Sequence, residues 1–439
     1  MATAQLTKSK TSPKFKSSGI DWLGDILNEW EVKKLKFTVK ELVGGGTPDT
    51  GDDQNWTDNN DGTPWVNIAD MTRSFRIRET EKKVTIKGLL EKNLRILPKG
   101  TLLYSMYASL GKVAVLNIDA VTNQAILGIV ESKDKAAIDF IKWWLISIER
   151  HLLLFSSSST QNNLNEFKVK NMPIFLPPLS QQGQIANFLD HEADKLDGLI
   201  DKKQQLIKKL NEKRTAIIGN AITKGLNPQA KFKPSGFDWI GSIPSNWELS
   251  PLFVGMSERQ EKNLGLIEKN LLSLSYGRII KKDIESNFGL LPESFETYQI
   301  VNPDDIILRL TDLQNDKKSL RVGYVTQRGI ITSAYLCLRV NSLKLLPSYA
   351  YLLLHYFDTT KLFYNLGAGV RQSMDFTDLK RIPIVFPPKN DQQKIIDFIN
   401  QKTEKMDKAI KKLRQQIEFV EEYRLALITN AVTGKIKVN

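Results

Sequence analysis

Residues 14–31 read KFKSSGIDWLGDILNEWE, and residues 231–248 read KFKPSGFDWIGSIPSNWE. The two stretches agree at 11 of 18 positions, where ordinary amino-acid usage gives about one by chance. A second match follows. Pro173-Ile174-Phe175-Leu176-Pro177-Pro178 parallels Pro383-Ile384-Val385-Phe386-Pro387-Pro388, and Gln182, Ile185 and Phe188 parallel Gln392, Ile395 and Phe398. Further on, Arg214, Ala216, Ile218, Asn220, Ala221 and Thr223 parallel Arg424, Ala426, Ile428, Asn430, Ala431 and Thr433. The chain is therefore a tandem duplication: variable module, shared segment, variable module, shared segment. The offset falls from 217 at the first match to 210 at the second, so the second copy is seven residues shorter between its matched ends. The modules, about 32–172 and 249–382, have diverged widely. Leu97 to Leu103 still echoes Asn302 to Leu308, and Gly111-Lys112-Val113 echoes Gly323-Tyr324-Val325.

The shared segments read as long helices. From Thr403, the residues Met406, Ile410, Leu413, Ile417, Val420, Arg424 and Leu427 follow the 3-4 spacing of heptad a and d positions. In the first copy the track is Ala193, Leu196, Ile200, Lys203, Ile207, Leu210, Arg214 and Ile217. No proline interrupts 181–223 or 391–431, a Pro-Pro pair precedes each segment, and Gly225 and Gly434 follow them. Each helix is expected to run about 43 residues, roughly 64 Å. So narrow a stripe on so long a helix needs a partner, and the twin helix in antiparallel orientation is the simplest one. Leu196, Ile200, Ile207, Leu210 and Ile217 would face Met406, Ile410, Leu413, Ile417, Val420 and Leu427. Short β-rich runs punctuated by turn residues, with one helix in each module (Asp139 to His151, Ser348 to Asp358), complete an α+β chain with two similar mixed α/β modules and a pseudo-two-fold internal repeat.

Net charge narrows the partners. Lys and Arg number 62 against 49 Asp and Glu, a balance of +13. Only two of these excess charges lie in each of 181–225 and 391–435, which leaves nine for the modules and their flanks. A basic excess of this kind points to a polyanion. Lys202-Lys203, Lys208-Lys209 and Lys411-Lys412 read as solvated helix faces. No apolar run approaches the roughly 20 residues of a membrane span, and Met1 to Lys16 lacks the apolar core of a secretory signal. One cysteine, Cys337, and three histidines, His151, His191 and His355, exclude an internal disulfide and leave little for a metal site; a reducing cytoplasm is the expected setting.

The search for catalysis comes up empty. Gly44-Gly45-Gly46 lacks the Lys-Ser/Thr end of a nucleotide loop and reads as a turn. Leu176-Pro177-Pro178-Leu179 and Phe386-Pro387-Pro388-Lys389 miss the acid or amide and the aromatic of an amino-methyltransferase motif. Glu166-Phe167-Lys168 has nuclease-like Glu-x-Lys spacing, but so do many chance tripeptides. Base reading instead needs Arg, Lys, amide and hydroxyl side chains. The candidates are Arg73, Arg76, Arg78, Ser105, Tyr107, Lys112, Gln161 and Asn162 in module one. In module two they are Arg278, Lys281, Arg309, Thr311, Arg321, Arg371, Gln372 and Ser373.

Taken together, these residues resemble the specificity subunits of type I restriction–modification enzymes over nearly the whole chain. The carriers are Asp21-Trp22-Leu23-Gly24 with Trp30, its twin Asp238-Trp239-Ile240-Gly241 with Trp247, the Gly45-Gly46-Thr47-Pro48 start of module one, and the two Pro-Pro-x-x-x-Gln-x-x-Ile exits. Module two lacks the Gly-Gly-Thr-Pro start. The resemblance implies target-recognition domains at 14–178 and 226–388, and conserved long helices in a coiled coil at 179–225 and 389–435. Each domain would read half of a split double-stranded DNA site, with the helices setting the spacing. Two methyltransferase subunits carrying S-adenosylmethionine and a motor-nuclease subunit would be the partners, and this chain itself would hold no cofactor, metal or catalytic residue. A stand-alone methyltransferase or nuclease, and a coiled-coil adaptor that ignores DNA, are the competing readings.

Overall fold

Two compact units make up the computed structural model: residues 1–202 with 415–439, and residues 203–414. It describes residues 14–438 except 21–23, 108, 155–163, 283–293, 312, 314–319 and 366–372. The unit boundaries fall inside both long helices, so each unit contains half of each. A linear division into module and helix cuts the chain differently.

In the first unit, a five-stranded sheet runs in the order Glu41–Gly44, Ile126–Val130, Leu102–Ser105, Val113–Leu116, Arg76–Ile77. The last pairing is parallel and the others antiparallel. Strands Val121–Thr122, Thr63–Val66, Lys82–Val84 and Trp56–Thr57 form a second sheet. In the other unit, Met256–Glu258, Leu336–Val340, Ile306–Leu308 and Val322–Tyr324 follow the order of the first four strands above, all antiparallel. The divergent modules thus keep this four-strand order, while the rest of their sheets differ: the second unit has two-stranded sheets Leu272–Ser275 with Arg278–Lys281 and Gln299–Val301 with Gly329–Ile331 in place of a second four-stranded one.

The echo between the modules is only partly in register. A positive φ marks the turn at Gly100 (91°) and at Asp304 (74°), two residues before each central strand. By sheet register, however, Gly323 lies mid-strand opposite Ile307, where Ala114 lies opposite Leu103. Gly111 is instead a loop residue before its strand, so the Gly111–Gly323 match is coincidental. Gly323 leaves room there for Leu274 and Ile279, whose side-chain ends would have to shift if it carried a Cβ. The β-rich residues Lys83 to Ile86, expected from the sequence as one strand, end as a strand at Val84, since Ile86 opens the helix Ile86–Glu91 behind the Thr85 cap.

Each module contributes one helix to its core, Ile138–Ser147 and Pro347–Thr359. The expected residues 148–151 are not α-helical; a 3-10 turn follows from Glu149. Two buried clusters gather these helices with the sheets and the ends of the long helices. In the first, Trp30, Phe140, Trp144 and Phe175 pack with Leu189, Ala193, Ile428 and Val432. In the second, Trp247, Tyr349, Phe357 and Phe386 pack with Ile218, Ile222, Ile395 and Ile399.

The duplicated motifs now have a physical account. Gln182 is 1% exposed and Gln392 fully buried. Gln182 accepts from the Ala137 amide (2.8 Å), at the start of the module helix, and donates to the Pro177 carbonyl (2.8 Å). Gln392 does the same with Leu346 (2.7 Å) and Pro387 (2.8 Å). One side chain thereby caps the module helix and fastens the entry to the long helix. Replacing Gln182 or Gln392 with Leu keeps the volume but orphans a buried donor and a buried acceptor, at a cost of about 2 kcal/mol or more. Thermal unfolding of each variant should show this, while Gln205→Leu, at an exposed position, should change stability little. At the far ends of the long helices, Gly225 (φ 72°) closes against Trp247 and Gly434 (φ 73°) against Trp30. The repeated tryptophans are the seats for the helix ends. Asp21, Trp22 and Leu23 lie outside the described residues.

Candidate nucleic-acid interface

The long helices span Leu179–Lys224 and Lys389–Val432, 46 and 44 residues, slightly longer than expected. Leu196, Ile200, Ile207, Leu210 and Ile217 are half-buried, as are Met406, Leu413, Ile417, Val420 and Leu427, and Ile410 is buried. Most positions between them are exposed, which is the narrow stripe the spacing predicts. Arg214 pairs with Asp407 (3.2 Å) in the second unit, and Arg424 pairs with Asp197 (2.9 Å) in the first. These are the same two positions of the repeat with the helices exchanged. The sequence signal was available: a cation on the seam track and an acid outside it, each identical in both copies.

A buried polar network adjoins each pair. In the first unit, Lys142 is 4% exposed at its side chain and meets Asp190 at 2.6 Å. Trp143 Nε1 donates to the same carboxylate (2.8 Å), and Arg424 lies over the Trp143 ring. In the second unit, Arg214 faces Tyr351 and His355, whose rings stack 5.5 Å apart. Burial, reinforced by Arg214, pushes the His355 imidazole down to about 4, so it is neutral at physiological pH. Sequence reading missed these groups because an isolated Lys or Asp on a helix is ordinarily solvated.

The expected base readers divide by environment. Arg76 and Arg78 are exposed on the edge strand of the first sheet and beside it, and Arg73 ends the preceding short helix. Arg73, itself exposed, touches buried Asp70 (3.9 Å) and exposed Glu81 (3.6 Å), and its guanidinium remains accessible. The parallel register of Arg76 with Val115 puts the loop carrying half-exposed Tyr107 and exposed Lys112 at the same end of the sheet. Lys112 pairs with Glu149 (2.8 Å). Ser105 is fully buried; its hydroxyl donates to the Ser109 carbonyl and accepts from the Lys112 amide (2.9 Å). It shapes the loop and presents nothing to solvent. Gln161 and Asn162 lie outside the described residues.

In the second unit, Arg278 and Lys281 are exposed on the hairpin Leu272–Lys281. Arg309 is half-buried, and Thr311 and Ser373 are exposed. Arg321 is fully buried. Its Nη1 donates to the carbonyls of Arg309 (3.1 Å) and Thr311 (2.7 Å), and its Nε donates to the Tyr364 hydroxyl (3.0 Å). Arg321 therefore joins three segments of the core and offers no donor to a groove. Arg371 and Gln372 lie outside the described residues.

What chemistry the surface permits is limited. Gly45 is a tight passage, because a Cβ there would stand 2.2 Å from the carbonyl oxygens of Thr122 and Asn123. Cys337 is buried and its thiol is held well above the usual range by that burial. Among the described residues, no three His, Cys, Asp or Glu side chains are placed to hold a metal, and no helix is long and apolar enough to cross a membrane. A cavity of about 410 Å³ beside Gly225 is lined by Lys224, Trp247, Asp391 and Lys394, without a nucleophile–base pair.

Comparison with known proteins adds independent findings. The sequence profile of a family described as the type I restriction modification DNA specificity domain matches residues 28–212 and 297–419. The type I restriction enzyme MjaIX specificity subunit of Methanocaldococcus jannaschii is 24% identical over 99% of both chains. The putative MjaX specificity subunit of the same organism is also 24% identical, over 95% of this chain and 96% of its own. Among solved structures, a chain from a study of complex assembly and conformational transition in a type I R-M system aligns over 94% of this chain and 99% of its own. Its TM-score is 0.66 at 13% identity, a likeness of fold.

Proposed function

The chain belongs to the type I restriction modification DNA specificity family, as a non-catalytic subunit that recognises target DNA, and from that premise we propose that it reads a bipartite duplex site, one half with each module. The observation that carries this division is the conserved strand order in two modules whose surface residues differ. One scaffold presenting two sets of side chains suits two half-sites of different sequence. The target-recognition domains are 14–178 and 226–388, and the connecting helices are 179–225 and 389–435. Arg73, Arg76, Arg78, Tyr107 and Lys112 serve the first domain, and Arg278, Lys281, Arg309, Thr311 and Ser373 the second.

The helices form an antiparallel coiled coil with a pseudo-two-fold. In support, Asp197 meets Arg424 and Arg214 meets Asp407, so a 17-residue advance along one helix accompanies a 17-residue retreat along the other. The helices set the spacer and dock two methyltransferase subunits, which bring S-adenosylmethionine. A motor-nuclease subunit completes the assembly, which works in the cytoplasm.

The decisive experiment exchanges residues 249–382 for the second module of another family member and maps DNA methylation at base resolution in the host. One half of the site should change while the other half and the spacer persist. A change in both halves would end the proposal, as would no change in either.

A further inference from the structure

The hairpin Leu272–Lys281 carries a side chain that neither its turn nor the core requires. Its register pairs Leu272 with Lys281, Ser273 with Ile280, Leu274 with Ile279 and Ser275 with Arg278. Alternation along each strand divides the residues between two faces. Leu272, Leu274 and Ile279 face inward; the first two are 2% and 8% exposed, and Leu274 and Ile279 pack over Gly323 of the neighbouring strand. The other face displays Ser273, Ser275, Arg278 and Ile280, with Arg278 exposed and Ile280 44% exposed. The Arg278 side chain makes no hydrogen bond or ion pair to another described residue, although its charge acts on Tyr351 of the module helix.

The tip is the two-residue turn Tyr276-Gly277, with φ of 45° and 76°. Both central residues lie in the left-handed region, the pattern of a tight hairpin turn that asparagine and glycine occupy freely. A tyrosine there is strained, and its ring is 79% exposed, so it contributes nothing to packing. Residues 272–282 contain Arg278, Lys281 and Lys282 and no acid. A two-stranded ribbon fits the major groove, hydroxyls and an arginine fork read base edges there, and an exposed aliphatic side chain suits a thymine methyl.

We propose that this hairpin is the specificity-determining ribbon of the second module: Ser273, Ser275, Arg278 and Ile280 face the bases of one half-site, and Tyr276 wedges at its end. The proposal rests on the reading that the second module binds duplex DNA, and the test separates the two. The full chain, alone and with its methyltransferase partner, is used to select duplexes from a randomised library. The parent chain should enrich a bipartite site. Arg278→Ala, and Arg278→Lys with its charge kept and its fork lost, should relax one or two positions in one half only and weaken binding roughly tenfold. Tyr276→Gly relieves the turn, so it should melt no lower than the parent yet bind several-fold more weakly. Unchanged preference and affinity in both Arg278 variants would overturn the ribbon, and unchanged affinity in Tyr276→Gly would overturn the wedge. If the parent chain enriches nothing in either form, the DNA reading itself fails and the ribbon with it.

Discussion

Arg321→Ala should unfold the second unit without first altering what it reads. The guanidinium is fully buried and supplies donors to Arg309, Thr311 and Tyr364, while its backbone amide bonds to Asp358. Truncation leaves two carbonyls and a hydroxyl without these donors and opens a cavity of arginine size. Such losses cost about 3–5 kcal/mol. In a unit of this size that lowers the melting temperature by roughly 10 °C. Calorimetry of the full chain should show the drop, and DNA retention should fall only in step with the unfolded fraction. A variant that melts with the parent and selects a different half-site would refute this and restore Arg321 as a base reader. Arg278→Ala on the hairpin is the contrasting case, with altered selection at unaltered melting temperature.

Arg259→Met should be comparably severe, with a pH dependence that identifies the cause. Arg259 Nη1 meets Asp305 at 3.0 Å, with both side chains under 10% exposed, and Asp305 also accepts from the Asn302 amide (2.8 Å). Burial already pushes the Asp305 carboxyl above the usual range, although the Asn302 amide and Arg259 oppose it. Removing the cation strands a buried carboxylate, at about 3–5 kcal/mol. The folded-state pKa then rises further above the unfolded one. The native state of the variant therefore binds more protons than the unfolded state, and its stability increases as pH falls. The melting deficit relative to the parent should be largest at alkaline pH and shrink as pH falls. The double variant Arg259→Met, Asp305→Leu should regain most of the loss, because apolar replacement of a buried pair is often close to neutral. A deficit that is flat with pH, or a double variant no better than the single one, would show that packing rather than charge is responsible.

Several parts of the site were legible from residue patterns and others were not. Exposed Arg73, Arg76, Arg78, Arg278 and Lys281 were identifiable because arginine and lysine outside an apolar periodicity usually face water. Ser105 and Arg321 follow the same prior and depart from it, one closing a loop on itself and the other joining three core segments. Gln182 and Gln392 were visible only as repeat markers; their duty as caps appears when Ala137 and Leu346 arrive beside them. Tyr276 gave no sequence signal, since only the paired strands reveal that it sits at a left-handed turn position.

The duplication, the two long helices with their apolar tracks and the empty catalytic search could all be read without coordinates. Each depends on local spacing or on self-similarity, which the chain carries wherever it folds. Which polar groups are sealed from water was settled by tertiary structure alone. Arg321 meets Asp358 from 37 residues away, Gln182 meets Ala137 from 45, and the Tyr349 hydroxyl meets the Ile222 carbonyl from 127. Burial is a property of such encounters, and no window along the chain contains both partners.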